Sequence, residues 1–136
     1  MVATQKGELL LQKRAATKYH SPGLWSNTCC SHPKPGEALL AAAHRRLMQE
    51  MGFDCPLTPG FSFVYRVKLP NGLTEYEFDH VLRGRYEGAP APDPAEVAEW
   101  QWMDEATLRR ETAEHPATFT PWFLLALPSL LARGRT

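Results

Sequence analysis

The chain is 136 residues long, enough for one domain with its own core and too short for two comfortable ones. Hydrophobic residues make up 43% of it and charged residues 22%, which excludes disorder throughout. The formal net charge of +0 provides no basic field for nucleic acid, so any anion site must be local.

Residues 1–136 are therefore expected to form a single folded unit. Three cysteines, an odd number with Cys29 and Cys30 adjacent, argue against a disulfide framework and for a reducing compartment, so the cytoplasm is expected. The start "MVATQKGELLLQKRAA" lacks a signal-peptide core, and "WFLLALPSLLA" is too short to span a bilayer; no membrane association is expected.

In chain order, Glu8 to Lys13 reads as a short strand, followed by a basic loop, "ATKYHSPGLW". The stretch "WSNTCCSHPKPGE" then places two thiols and an imidazole ahead of two prolines and a glycine. It is a metal site, a reactive thiol or an accident of composition. In an extended segment Cys30 and His32 point to one side and Cys29 to the other. A lone Cys-x-His is a weak metal signal, and Cys29 and Cys55 read as small buried hydrophobes.

From Glu37 to Met51 alanine and leucine recur at helical spacing, with Gly52 just past the end, predicting a helix. "FSFVYRVKLPNGLTEYEFDHVL" predicts two strands around Pro70-Asn71-Gly72. A two-residue turn sets Arg66 opposite Glu77; a three-residue turn with Gly72 left-handed pairs Tyr65 with Glu77. The second is preferred because it keeps proline out of the ladder. "EGAPAPDPAE" is a connector, "EVAEWQWM" a strand, and "DEATLRR" a helix capped by Asp104. A last helix begins with Thr120 as N-cap and Pro121 as its first residue, and is bent or weakened at Pro128. The alternation of strands and helices indicates α/β or α+β.

Among charged groups, Glu75, Glu77 and Asp79 share strand parity, as a solvated face or as a clamp for a divalent ion. Arg14 and Lys18 flank a loop with no acid between them. Arg46 and Glu50 lie one helical turn apart, either as a surface ion pair or as an anion rim with a magnesium ligand.

The helix resembles the Nudix box, Gly-x5-Glu-x7-Arg-Glu-U-x-Glu-Glu-x-Gly-U. Glu37, Arg45, Leu47, Glu50 and Gly52 match it, while Ser31, Arg46, Gln49 and Phe53 depart from it. Arg46 and Gln49 stand where Nudix hydrolases carry two magnesium-holding carboxylates, which disfavours pyrophosphate hydrolysis. With "KRAATK", "WSNTCCSHP", "RRLMQEMG", "YR", "EYE" and "FTPW" in order, the chain from about Lys6 through Trp122 resembles the type I isopentenyl diphosphate isomerases.

That resemblance implies an α/β (α+β) Nudix-like mixed sheet sandwiched between helices, truncated at the N-terminus, and conversion of isopentenyl to dimethylallyl diphosphate. It implies that Cys30 and Glu77 are the acid–base pair on opposite faces of the substrate, one protonating the alkene and the other deprotonating the allylic carbon. It puts Tyr65 in hydrogen-bond reach of Glu77, as the chosen register does independently, and makes Trp122 a π face for the tertiary carbocation. It implies a metal site with His32, Glu75 and Glu77 as ligands, incomplete because two further family histidines and a diphosphate lysine precede Met1, and filled by manganese, zinc or magnesium. A magnesium ion bridges the diphosphate and Glu50, and Arg14, Lys18 and Arg46 hold the diphosphate. Self-association is expected through a sheet edge left exposed by the missing strand. The alternatives are a diphosphate-binding remnant of the same fold and, more distantly, a Nudix hydrolase.

Overall fold

A computed structural model describes residues 1–18, 21–29, 34–68, 72 and 74–133, and the side chains of these except at 65, 67, 75–79 and 133. In chain order the elements are β1 (Val2–Ala3), β2 (Leu9–Arg14), β3 (Trp25–Ser26), α1 (Leu39–Met51), β4 (Leu57–Lys68), β5 (Thr74–Arg85), β6 (Val97–Met103), α2 (Glu105–Glu114), a 3-10 turn (Pro116–Thr118) and α3 (Pro121–Arg133). The sheet runs β3-β2-β1-β5-β4, with β6 on β2. It is mixed, because β1 lies parallel to β5 while β1–β2, β2–β3, β2–β6 and β4–β5 are antiparallel.

Alternation along β2 explains the layering. Leu11 belongs to a core with Met103, Leu108 and the apolar side of α3, whereas Leu10 belongs to a second core with Val2, Leu47 and Met51 of α1. The sheet is thus covered by α1 on one face and by α2 and α3 on the other, the α+β arrangement expected. Thr28 completes β2 beside β1: it accepts from Val2 N at 2.9 Å and donates to Leu10 O at 2.7 Å.

The hairpin register is the one expected of a three-residue turn. Lys68 pairs with Thr74, Val67 with Glu75 and Tyr65 with Glu77, and Gly72 has φ +85°, the left-handed conformation that glycine adopts freely. Pro70 and Asn71 lie outside the described residues.

α1 begins two residues later than the composition suggests. Glu37 turns its carboxylate back to accept from Lys34 N at 2.9 Å and from Arg45, which draws it out of the first helical turn. At the far end Gly52 is left-handed, and its N–H bonds Met48 O at 3.1 Å. The proline-rich connector does more than connect: Ala91 N and Asp93 N donate to Met51 O and Glu50 O, capping carbonyls the helix leaves unpaired. Asp104 caps α2 through Thr107 N at 2.7 Å, as expected. α3 continues through Pro128 to Arg133. Among the described residues no helix is long and apolar enough to cross a membrane.

Candidate active site

α1, strand β2 and the loop leaving β3 converge on Glu50, which is 2% exposed. Burying a carboxylate is costly unless it is paired and hydrogen-bonded, and this one is. Its Oε2 accepts from Cys29 Sγ at 3.0 Å and faces Arg46 Nη2 at 3.3 Å; its Oε1 lies 3.4 Å from Gln12 Nε2. The Arg46–Glu50 contact is therefore an ion pair with a sealed carboxylate and a partly exposed guanidinium, unlike a fully solvated surface pair.

Cys29 is a correction to the sequence reading. It is half-buried, and its thiol is engaged with a carboxylate as well as packed on the α1-side core. Cys55 is the buried small hydrophobe expected, and burial pushes its thiol up from the ordinary value, which leaves it inert.

The acid for the basic loop comes from a distant strand. Glu96, immediately before β6, holds Lys18 Nζ in a short contact and lies 3.5 Å from Arg46 Nη2. The Lys18 hydrogen bond, with Arg46 and Arg14 adding to it, holds its carboxyl below the usual range. Glu96 was missed as a functional residue; the signal available was strand pairing, since the register places Val97 opposite Arg14. That register shifts at Lys13/Arg14, an irregularity of the kind found beside functional sites.

Arg14, buried, stacks its guanidinium over Trp122, Cζ to ring centroid 5.3 Å. The cation cluster and the aromatic wall therefore adjoin. Trp122, in the first turn of α3, donates Nε1–H to Asn27 Oδ1 at 3.2 Å. Arg14, Lys18, Arg46, Glu50 and Trp122 are thus brought into one neighbourhood. Cys30 and His32 lie outside the described residues. Tyr65, Glu75 and Glu77 are described by backbone alone, with positions 65 and 77 directly paired across the hairpin.

Among the described residues no three His, Cys, Asp or Glu side chains gather as a metal site. The described part still has suitable donors: the Glu50 carboxylate and, on the amide that approaches it, Gln12 Oε1, buried without a hydrogen-bond partner. Both are oxygen donors of the type that hard divalent ions take.

The NUDIX domain model matches residues 1–123. A protein of Photorhabdus laumondii named isopentenyl-diphosphate Delta-isomerase 2 is 56% identical over 122 residues, covering 90% of this chain and 69% of that protein. Isopentenyl-diphosphate Delta-isomerase 1 of Aromatoleum aromaticum is 53% identical over 124 residues, covering 91% of this chain and 70% of that protein. Among solved structures, the NUDIX domain of Shewanella oneidensis NrtR superposes with a TM-score of 0.74 at 15% identity, over 97% of this chain and 82% of that one. The MutT protein from Methanosarcina mazei gives 0.72 at 17%, over 91% and 82%. At such identities the structural likeness concerns the fold.

Proposed function

The chain belongs to the NUDIX domain family and, within it, to the isopentenyl-diphosphate Delta-isomerases, and on that premise we propose that it converts isopentenyl diphosphate to dimethylallyl diphosphate. The observation that carries the reading is the junction at Arg14. On one side stand Lys18, Arg46 and Glu96; on the other the guanidinium lies on the Trp122 ring. A substrate with a polyanionic diphosphate head and a five-carbon apolar tail matches a cation cluster that abuts an aromatic wall.

Arg14, Lys18 and Arg46 hold the diphosphate. Glu50 would hold a magnesium ion against it, and His32, Glu75 and Glu77 a second divalent ion. Bound there, the ions neutralise the charge of the diphosphate and of the carboxylates. Cys30 and Glu77 form the acid–base pair: one gives a proton to the terminal methylene, the other takes a proton from the allylic carbon, and the double bond moves one position with no net gain or loss of atoms. Between the two transfers the charge rests on a tertiary carbon facing Trp122. Tyr65, opposite Glu77 in the ladder, orients that carboxylate.

The test is incubation with isopentenyl diphosphate and magnesium in deuterated water, followed by NMR. Deuterium in dimethylallyl diphosphate, lost in Cys30→Ala and Glu77→Gln, is the expected result. Released phosphate would indicate a hydrolase, and line broadening of unchanged substrate a binding remnant.

A further inference from the structure

We propose that Asn27 is a positioning residue that ties the Cys29 carbonyl, next to Cys30 in sequence, to the indole of Trp122, an inference that rests on the reading of Cys30 and Trp122 as acid–base group and cation wall. Asn27 Oδ1 accepts from Trp122 Nε1 at 3.2 Å and from Ser26 Oγ at 2.8 Å, while its Nδ2 donates to Cys29 O at 2.8 Å. The amide orientation is fixed by chemistry: an indole N–H can only donate and a carbonyl can only accept, so exchanging N and O would break both contacts. One side chain thus spans two elements far apart in sequence, holding the carbonyl that precedes Cys30 against the ring that faces the substrate tail.

The surroundings make this tie stiff. Just before Asn27, Thr120 N donates to Trp25 O at 2.8 Å, and the Ser26 and Thr120 hydroxyls lie 3.0 Å apart, so β3 is stitched to the start of α3. Just after it, Thr28 is bonded to β1, β2 and Gln12, and Cys29 to Glu50. Residues on either side are anchored to different parts of the sheet and helices. Asn27 adds what those anchors do not, a direct link between the thiol-bearing segment and the indole plane. Proton delivery to one face of an alkene is sensitive to such registration, and a displacement of about 1 Å can cost roughly 10²-fold in rate.

The two arms can be cut separately. Asn27→Ala removes both; Asn27→Asp keeps an acceptor for the indole and replaces the donor to Cys29 O with a repelling oxygen. In the full chain, the Trp122 indole N–H, assigned in 15N–1H spectra by its loss in Trp122→Phe, is expected to exchange at least about 10-fold more slowly with deuterated water than that of half-exposed Trp100. Asn27→Ala abolishes that protection; Asn27→Asp retains it. Both variants alter the rate of Cys30 alkylation by iodoacetamide several-fold, read by tandem mass spectrometry that separates Cys30 from Cys29. Both lower kcat by about 10²-fold with KM for isopentenyl diphosphate within two-fold, because the diphosphate groups are untouched.

An Asn27→Ala protein with unchanged indole exchange and unchanged Cys30 alkylation overturns the proposal. So does a loss of kcat that is matched by a rise in KM and a fall in melting temperature. Should Asn27→Ala not fold, Asn27→Asp decides the matter: indole exchange stays slow in either case, and unchanged Cys30 alkylation together with unchanged kcat overturns the proposal. A wild-type chain that makes no dimethylallyl diphosphate but gives the expected exchange and alkylation pattern refutes the isomerase reading and leaves the Asn27 tie standing.

Discussion

On the α3 side of the sheet the core from Leu11 and Leu108 to Phe123, Leu127 and Leu131 is hydrocarbon, and the buried polar groups Arg14, Ser26 and Thr120 gather only where α3 begins. On the α1 side, Gln12, Thr28 and Glu50 are sealed among Leu10, Leu47 and Met51. A small domain that needed only stability would fill both faces alike, since burying a charge gains little over a well-packed apolar residue. The difference indicates that the α3 face holds the fold and the α1 face spends stability on a fixed carboxylate.

The largest expected effect tests the first half of that contrast. Phe123 is 1% exposed in the α3-side core, and Phe123→Ala should lower the free energy of unfolding by about 3–5 kcal/mol. Urea denaturation would measure it. A loss below about 1 kcal/mol would mean that the α3 face is not the main support.

Glu50→Gln tests the second half. The amide keeps an acceptor for the Cys29 thiol and removes the buried charge, while Arg46 retains Glu96 as its partner. Stability should change by less than about 1 kcal/mol, because the lost ion pair and the relieved desolvation oppose each other. Turnover should fall about 10²- to 10³-fold, the cost of removing one preorganised electrostatic group. If melting temperature falls as far as in Phe123→Ala, Glu50 is a structural residue and the contrast between the faces collapses.

How much of this was legible follows from how local each signal is. The hairpin register was readable because Pro70, Asn71 and Gly72 restrict the turn themselves, and Tyr65 opposite Glu77 follows from it. α1 was readable from its own alanines and leucines, but its start was not, because the Glu37 carboxylate is claimed by Lys34 N and Arg45. β1 and β3 are two residues each, too short for a periodic pattern, and exist because neighbouring strands supply their hydrogen bonds. The motif positions Arg14, Lys18, Arg46, Glu50 and Trp122 do meet, yet the groups that hold them in place were invisible. Glu96 reaches Lys18 from 78 residues away, and Gln12 looked like any residue of a strand. Cys29 was misread for the same reason, since nothing near it in sequence shows that Glu50 arrives beside its thiol.

The smallest effect concerns the rim of the α1 face, where Arg45 grips Glu37 with Nε and Nη2 at 2.9 and 3.0 Å. That hydrogen bonding, with Lys34 N adding to it, lowers the Glu37 carboxyl from its ordinary 4.5 to about 2. The folded protein therefore holds the Glu37 carboxylate ionised at acidities where the unfolded chain binds a proton. The pair's contribution is complete above about pH 4.5, shrinks as pH falls and is gone below about pH 2. Glu37→Gln should accordingly melt below the wild type at neutral pH, with the gap closing between those limits and narrowing at high salt, because both groups are partly exposed. A gap that stays constant down to pH 2 would assign the effect of the substitution to lost packing at the start of α1, and the rim would then count with the structural face of the molecule.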